Sequence, residues 1–181
     1  MAAVMKDKAM LRKLVRERLA MLSAETKTAR SIAIMESLKA HLAVSGARVI
    51  ALFSPLCDEP QLWELIEWLS KTKVVLLPRV EGDTMRFYGY SKDEMSKGAF
   101  GIMEPSSTEC VAPDEIDAVV VPGVAFTVSG ARMGRGKGFY DKYMSQPSFR
   151  ALKLGVCYDE QIVEELPVEP HDVLMDVVVS G

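Results

Sequence analysis

The chain of 181 residues holds only two histidines, His41 and His171, and three cysteines, Cys57, Cys110 and Cys157. Three widely spaced cysteines cannot all pair, which argues against a disulfide framework and fits reduced thiols in a cytoplasmic setting. With so few histidines and no C-x-x-C pair, a zinc site is not expected. Long hydrophobic runs are missing as well, and none approaches the ~20 apolar residues of a membrane helix. Lys6, Asp7, Lys8, Arg12 and Lys13 near the N-terminus are followed by no apolar block and no small-residue cleavage site, so no secretory signal is read there. Neither sign of charge dominates. A formal net charge of -3 gives no global pull toward nucleic acid or an anionic membrane. Repeats, linkers and low-complexity segments are absent too. The expectation is one domain over residues 1–181, cytoplasmic and monomeric, with no nucleic-acid or membrane partner.

What is present is core-forming material. At 49% hydrophobic content the chain can bury one substantial core. Residues 5–22 have Met10, Leu11, Leu14, Val15, Leu19 and Leu22 at helical spacing. Ser23 reads as the N-cap of a second helix running to about Leu42. From there the pattern changes to short apolar runs, expected as buried strands, at 48–53, 73–77 (stopped by Pro78), 117–121, 152–157 and 176–179. Residues 60–71 read as a helix between two of them, 139–146 as the start of another, and 85–90 as a more exposed strand. The stretch 91–115 is the least regular. Alternating helices and continuous apolar strands predict an α/β fold with a mainly parallel sheet flanked by helices. The arrangement is Rossmann-like and three-layered, with the two N-terminal helices packed outside.

After the strand at 117–121 comes VPGVAFTVSGARMGRGKGFYD. Gly130, Gly134, Gly136 and Gly138 alternate with Arg132, Arg135 and Lys137, and Asp141 closes the run. Glycines let backbone amides approach an anion, and arginine and lysine add charge-assisted bonds. A helix beginning near Phe139 would aim its positive end at the same place. An acid just beyond such a cradle suits a magnesium ion held against phosphates. The nucleotide P-loop does not match, because Lys137 is followed by Gly138 rather than Ser or Thr. The dinucleotide fingerprint fails on its G-x-G-x-G spacing. The plain alternative is a flexible basic surface loop.

At ~100° per residue, Lys8 and Arg12 share the side of the first helix that carries Leu11, Val15, Leu19 and Leu22. Two cations beside an apolar stripe need an anionic partner or must snorkel to water. The functional alternative is a bound phosphate. Glu59, with Asp58, follows the strand at 48–53, where ligands bind in open parallel sheets; a helix N-terminal acid is the other reading. Taken alone, Asp176 reads as a strand-edge acid and His171 as ordinary surface. Met85, Phe87 and Phe100 read as core.

GARMGRGKGFYDKYM, preceded by VPGVAF, resembles the signature of 5-formyltetrahydrofolate cyclo-ligases. In that family a strand leads to Pro-Gly, an Ala/Gly-Phe and then G-x-R-[LM]-G-x-G-x-G-[YF]-Y-D. The resemblance extends to Lys8 and Arg12, the Ser-Pro-Leu-Cys-Asp-Glu segment ending at Glu59, Leu77-Pro78, Met85 with Phe87, Phe100-Gly101-Ile102, Glu104-Pro105 and Asp176. It implies conversion of 5-formyltetrahydrofolate to 5,10-methenyltetrahydrofolate, with ATP consumed and Mg²⁺ required. By the same resemblance Lys8, Arg12 and the run Arg132, Met133, Gly134, Arg135, Gly136, Lys137, Gly138, Phe139 and Tyr140 contact ATP. Arg132, Lys137 and Tyr140 are the candidate catalytic residues. Leu56, Glu59, Phe100, Arg135, Gly136, Lys137, Gly138 and Phe139 match positions that touch the folate, and Asp141 and Asp176 match magnesium-binding acids. Thr127, Ala131 and Phe139 depart from commoner family residues, the first two at points that bear on loop conformation. Two other functions stay open at this point: an ATP-dependent kinase or ligase for another small acceptor, and a non-catalytic folate- or nucleotide-binding protein.

Overall fold

The computed structural model describes residues 7–98 and 101–181. Helix α1 (Lys8–Ala20) begins at Asp7, whose carboxylate accepts from the Ala9 amide at 2.8 Å. The next helix, α2 (Ala24–Ser45), begins at Ser23 as expected; the Ser23 hydroxyl accepts from the Thr26 amide at 3.1 Å. The chain continues as β1 (Val49–Ala51), α3 (Trp63–Leu69), β2 (Val74–Glu81), β3 (Thr84–Gly89), β4 (Met95–Lys97), β5 (Met103–Pro105), β6 (Cys110–Val111) and β7 (Ala118–Pro122). Then follow β8 (Ala125–Phe126), β9 (Arg132–Met133), α4 (Phe139–Met144), β10 (Leu152–Cys157) and β11 (Val177–Ser180).

Seven strands form one sheet in the order β11-β10-β7-β1-β2-β3-β6. The first five in that order are parallel, while β3 and β6 extend the far edge in antiparallel pairing. Strand β2 runs through Pro78 instead of stopping there. It pairs with β1 only as far as Leu76, so beyond that point one of its edges carries no ladder and a residue without an N–H is tolerated.

Successive strand residues face opposite layers, as a two-residue repeat requires. Ile50, Leu52, Val120, Leu154 and Val156 pack with Leu11, Val15, Leu19, Ile34, Leu38, Leu65 and Ile66 of the first three helices. Ala51, Val119, Val121 and Cys157 face the other layer, built from Phe126, Tyr143, Met144, Phe149 and Met175. The two covering layers are unequal. α1, α2 and α3 share one face, and the other carries the short α4 together with irregular chain.

At the amino edge of the sheet, the Asp117 carboxylate accepts from the amides of Arg48 and Val49, each at 2.8 Å. These bonds hold its carboxyl below the usual range. A lowered value in the fold means that the stabilisation is present above the unfolded pKa and fades as pH falls through the folded one. Asp117→Ala is therefore expected to lower Tm by a few degrees at neutral pH. In thermal melts the gap to the parent should close in strong acid; a gap of constant size would assign the loss to something other than the carboxylate.

Candidate active site

In the strand order, β1 and β7 are neighbours whose onward connections move in opposite directions: β1 leads to β2 on one side, β7 to β10 on the other. Loops leaving such a pair diverge and open a crevice at the carboxyl edge of the sheet. The two loops here are 52–62 and 123–138, which carry most of the residues singled out in the sequence.

The structure joins them through Arg135 and Glu59. The Arg135 guanidinium donates to Glu59 Oε1 from Nε at 3.3 Å and from Nη2 at 3.0 Å, and to Asp58 Oδ1 at 2.7 Å. Glu59 is buried at 5% exposure, and the Leu56 amide donates to its other oxygen at 2.9 Å. Burial pushes the Glu59 carboxyl up; the Leu56 amide and Arg135 oppose this without cancelling it. Leu56 thus meets Glu59 through its backbone.

The glycine-rich segment is a hairpin followed by an open loop. β8 and β9 pair antiparallel. The tight turn between them is closed by Thr127, whose amide donates to the Ala131 carbonyl at 3.0 Å and whose hydroxyl accepts from the Ala131 amide at 3.1 Å. Both departures from the commoner family residues therefore close the same turn and leave the hairpin intact. Gly130 has φ 99°, and a Cβ there would stand 2.4 Å from the Met175 carbonyl oxygen, so this turn needs glycine.

Beyond β9, Arg135, Gly136 and Lys137 are exposed. Lys137 has no ion pair or side-chain hydrogen bond among the described residues. Arg12 reaches the loop from α1 and donates from Nε to the Gly134 carbonyl at 3.0 Å. Gly138 takes φ 70° just before α4. That helix has six residues, so its dipole contributes little compared with the cations.

Several expected contacts lie elsewhere. Arg132 is buried at 8% exposure and points inward, donating to Asp141 Oδ2 at 2.9 Å and to the Pro122 carbonyl at 3.0 Å. The Met133 side chain is in the first core cluster, and its carbonyl accepts from the Val124 amide at 2.7 Å. Phe139 packs against the second cluster. Tyr140 is half-buried, with the Arg132 guanidinium carbon 5.5 Å from its ring centre and Phe87 edge-on at 6.5 Å. Burial, reinforced by the Glu59 charge, pushes its phenol above the ordinary range. Phe100 lies outside the described residues.

Lys8 meets acids in this structure: its ammonium bonds the Glu169 carboxylate and lies 3.4 Å from Asp172 Oδ2. The bond to Glu169 leads in holding its pKa up. The exposed His171 imidazole is 3.6 Å from an oxygen of each acid.

Asp176 is not brought to the loop. Its carboxylate accepts from the Lys153 amide at 2.7 Å and pairs with the Lys153 ammonium at 2.9 Å. Lys153 is beside Val119, near the start of β7, whereas the loop leaves the other end of that strand. The chain that meets Asp141 is instead the segment before β11: Val173 donates its amide to Asp141 Oδ1 at 3.0 Å, while the carboxylate of the preceding Asp172 accepts from the Glu169 amide at 2.8 Å and faces Lys8. No local sequence pattern marks Asp172, because its placement depends on how the segment before β11 crosses the second face.

A family model described as the 5-formyltetrahydrofolate cyclo-ligase family matches residues 4–181. The chain is 28% identical over 183 residues to the 5-formyltetrahydrofolate cyclo-ligase of Mus musculus, covering 93% of this chain and 90% of that one. To the enzyme of that name from Mycolicibacterium smegmatis it is 32% identical over 148 residues, covering 77% and 76%. The solved structure of Aquifex aeolicus 5,10-methenyltetrahydrofolate synthetase aligns with a TM-score of 0.85 at 37% identity, over 96% of this chain and 89% of that one. The Mycoplasma pneumoniae 5,10-methenyltetrahydrofolate synthetase aligns with a TM-score of 0.79 at 27% identity, over 96% and 98%.

Proposed function

Because the chain belongs to the 5-formyltetrahydrofolate cyclo-ligase family, we infer that it is a ligase converting 5-formyltetrahydrofolate to 5,10-methenyltetrahydrofolate at the expense of ATP. The observation that carries the site assignment is the Arg135–Glu59 bridge, which joins the phosphate-type loop to a buried acid at the switch point of the sheet.

A formamide is a poor electrophile. In the chemistry the family resemblance implies, its oxygen accepts the terminal phosphoryl group of ATP, which gives a phosphorylated imidate with a good leaving group. N10 of the same folate then attacks the former formyl carbon, the ring closes and phosphate departs. Held nearby, N10 reacts as an intramolecular nucleophile, so little acid–base machinery is needed. Phosphoryl transfer asks chiefly for positioning and charge neutralisation. Lys137, exposed and without an ion-pair partner among the described residues, is the candidate phosphate contact. Arg135 serves both ligands: it stands in the phosphate-type loop and reaches across to balance Glu59. Glu59 orients the folate through polar groups of the pterin. Arg12 contributes by holding the Gly134 carbonyl. Arg132 seats Asp141 and Tyr140, which supports reading it as a positioning residue.

Asp141 suits Mg²⁺: it is a hard carboxylate donor, and each of its oxygens has one described hydrogen bond, which leaves lone pairs for a metal. Asp176, committed to Lys153 at the other edge, does not fit. Magnesium, when bound, supplies charge neutralisation on the phosphates.

We read the chain as one domain, since both core clusters face the same sheet. We read it as a monomer, since exposed large apolar side chains such as Met10, Ile32, Trp68, Val128 and Leu174 are spread over separate elements. Free Cys57, Cys110 and Cys157 suit a reducing cytoplasm, and among the described residues no helix is long and apolar enough to cross a membrane.

The direct test is an absorbance assay for methenyl product from 5-formyltetrahydrofolate and Mg-ATP, with each component omitted in turn. Product in the complete mixture alone supports the reading, and ATP turnover indifferent to the folate would point to another acceptor. Lys137→Ala is expected to raise the half-saturating ATP concentration about tenfold or more, the worth of a charge-assisted bond, with Tm unchanged. An ATP saturation curve identical to the parent's would remove Lys137 from the phosphate site.

A further inference from the structure

A buried polar network behind Glu59 takes no part in the chemistry described above. Tyr158, just past β10, is 0% exposed, and Ser31, on α2, is 2% exposed. The Tyr158 hydroxyl donates to the Glu59 carbonyl at 3.0 Å and lies 3.2 Å from Ser31 Oγ. Ser31 Oγ in turn accepts from the Gln61 amide at 3.0 Å. A phenol has one proton, and here it goes to Glu59, so the Ser31 proton must point to the Tyr158 oxygen. Gln61 N–H, Ser31 O–H, Tyr158 O–H and Glu59 C=O thus form one directed circuit in which every donor is used once. The Gln61 side chain closes the front of the turn, donating to the carbonyls of Leu56 at 2.7 Å and Glu59 at 2.9 Å.

We propose that Tyr158 and Ser31 are positioning residues that set the Glu59 carboxylate in its folate-binding direction by clamping the Glu59–Gln61 turn from behind. The proposal rests on Glu59 as the folate contact. Two buried hydroxyls are costly unless fully bonded, and here the bonds they make run to each other and to this one turn. The elements they come from, α2 and the end of β10, meet the loop after β1 nowhere else through side-chain hydrogen bonds among the described residues. The carboxylate in front is left to the Leu56 amide and Arg135, so its aim depends on how firmly the main chain behind it is held.

The test compares the parent with Tyr158→Phe, Ser31→Ala, Glu59→Gln and the Tyr158→Phe/Glu59→Gln double variant. Tyr158→Phe is expected to raise KM for 5-formyltetrahydrofolate about tenfold, the worth of one buried hydrogen bond, and to leave KM for ATP unchanged. In the Glu59→Gln background the same change should have little further effect, because the clamp then holds nothing that matters. Equal shifts in both KM values, or full additivity with Glu59→Gln, would reduce the network to ordinary core stability and overturn the proposal. Amide hydrogen exchange supplies a readout that needs no substrate. The Leu56 amide, which donates to the Glu59 carboxylate, should exchange faster in Tyr158→Phe and Ser31→Ala than in the parent, while amides in β10 stay protected. Unchanged Leu56 exchange would sink the clamp even in a protein with full activity. A parent inactive on 5-formyltetrahydrofolate would instead sink the functional assignment and leave the exchange result to decide the clamp.

Discussion

Replacing Glu59 with glutamine is expected to lower kcat/KM for 5-formyltetrahydrofolate about a hundredfold and to leave the protein at least as stable as the parent. The loss of activity follows from the chemistry of the site. A carboxylate accepts hydrogen bonds only, whereas the amide presents one acceptor and one donor, so a pterin donor that met a carboxylate oxygen meets an N–H. Hydrogen bonds to a charged group are worth ~1.5–3 kcal/mol each, and ~1.4 kcal/mol is a factor of ten, which gives the hundredfold figure.

The stability follows from burial. Desolvation pushes the Glu59 carboxyl up, and the Leu56 amide and Arg135 do not fully restore it. An acid whose pKa is higher in the fold than in the unfolded chain binds its proton more tightly in the native state. Its ionised form therefore costs stability as pH rises through the folded value, and the cost vanishes below the unfolded value of ~4.3. Glutamine removes that cost. Arg135 keeps Asp58, and its side chain is 43% exposed, so water takes over much of the lost pairing. Melts of parent and variant across pH should show the widest gap in favour of glutamine near neutrality, closing below about pH 4. A variant that melts well below the parent at neutral pH would show the Arg135 pair to be net stabilising. An unchanged kcat/KM would remove Glu59 from the folate site.

The apolar runs that became β1, β2, β7, β10 and β11 were legible because strands buried on both faces leave little room for polar residues. Their order in the sheet left no such trace: the sequence put Glu59 and the glycine-rich loop each after a strand, and only the pairing of β1 with β7 brings the two together. The strands between 91 and 111 left no comparable trace. β4, β5 and β6 are only two or three residues long, and only β5 is largely buried, so no periodicity could develop in them. Pro78 misled as a stop because its free edge depends on where β1 ends, a fact of pairing and not of local sequence.

In the site, what was hidden is pairing at long range. The acids that meet Lys8 lie more than 160 residues away. They reach it only because the segment before β11 crosses toward the start of α1. Asp176 and Asp172 are four positions apart and look equivalent as acids near a terminal strand. The register of β11 against β10 sends one to Lys153, while the other turns to Lys8 and the Glu169 amide. Loop composition marked a row of cations, but could not show which of them pair within the protein, as Arg132 does, and which stay unpaired, as Lys137 does among the described residues.

Arg132 is the sharpest case, and Arg132→Met is expected to lower Tm by about 10 °C as well as to depress turnover. From the sequence it belongs to a row of loop cations alongside Arg135 and Lys137, and its loss would be expected to harm turnover far more than folding. The structure adds a folding role to that expectation. The Arg132 side chain is 4% exposed and its partner Asp141 13%, so neither charge has water to fall back on. Methionine fills most of the vacated space, which leaves the unpaired Asp141 and the stripped Pro122 carbonyl as the main losses. Breaking one side of a buried pair costs ~3–5 kcal/mol. In a domain of this size each kcal/mol moves Tm by ~2–4 °C, which centres the shift near 10 °C. Turnover should fall too when assayed at a temperature where the variant is still folded, because Asp141 and Tyr140 both lean on the guanidinium. Arg132→Lys restores the charge but not the fork that spans Pro122 and Asp141, and should fall between methionine and the parent. If instead Arg132→Met melts with the parent while turnover is lost, the guanidinium does its work on a ligand, and the inward pairing is not what the side chain is for.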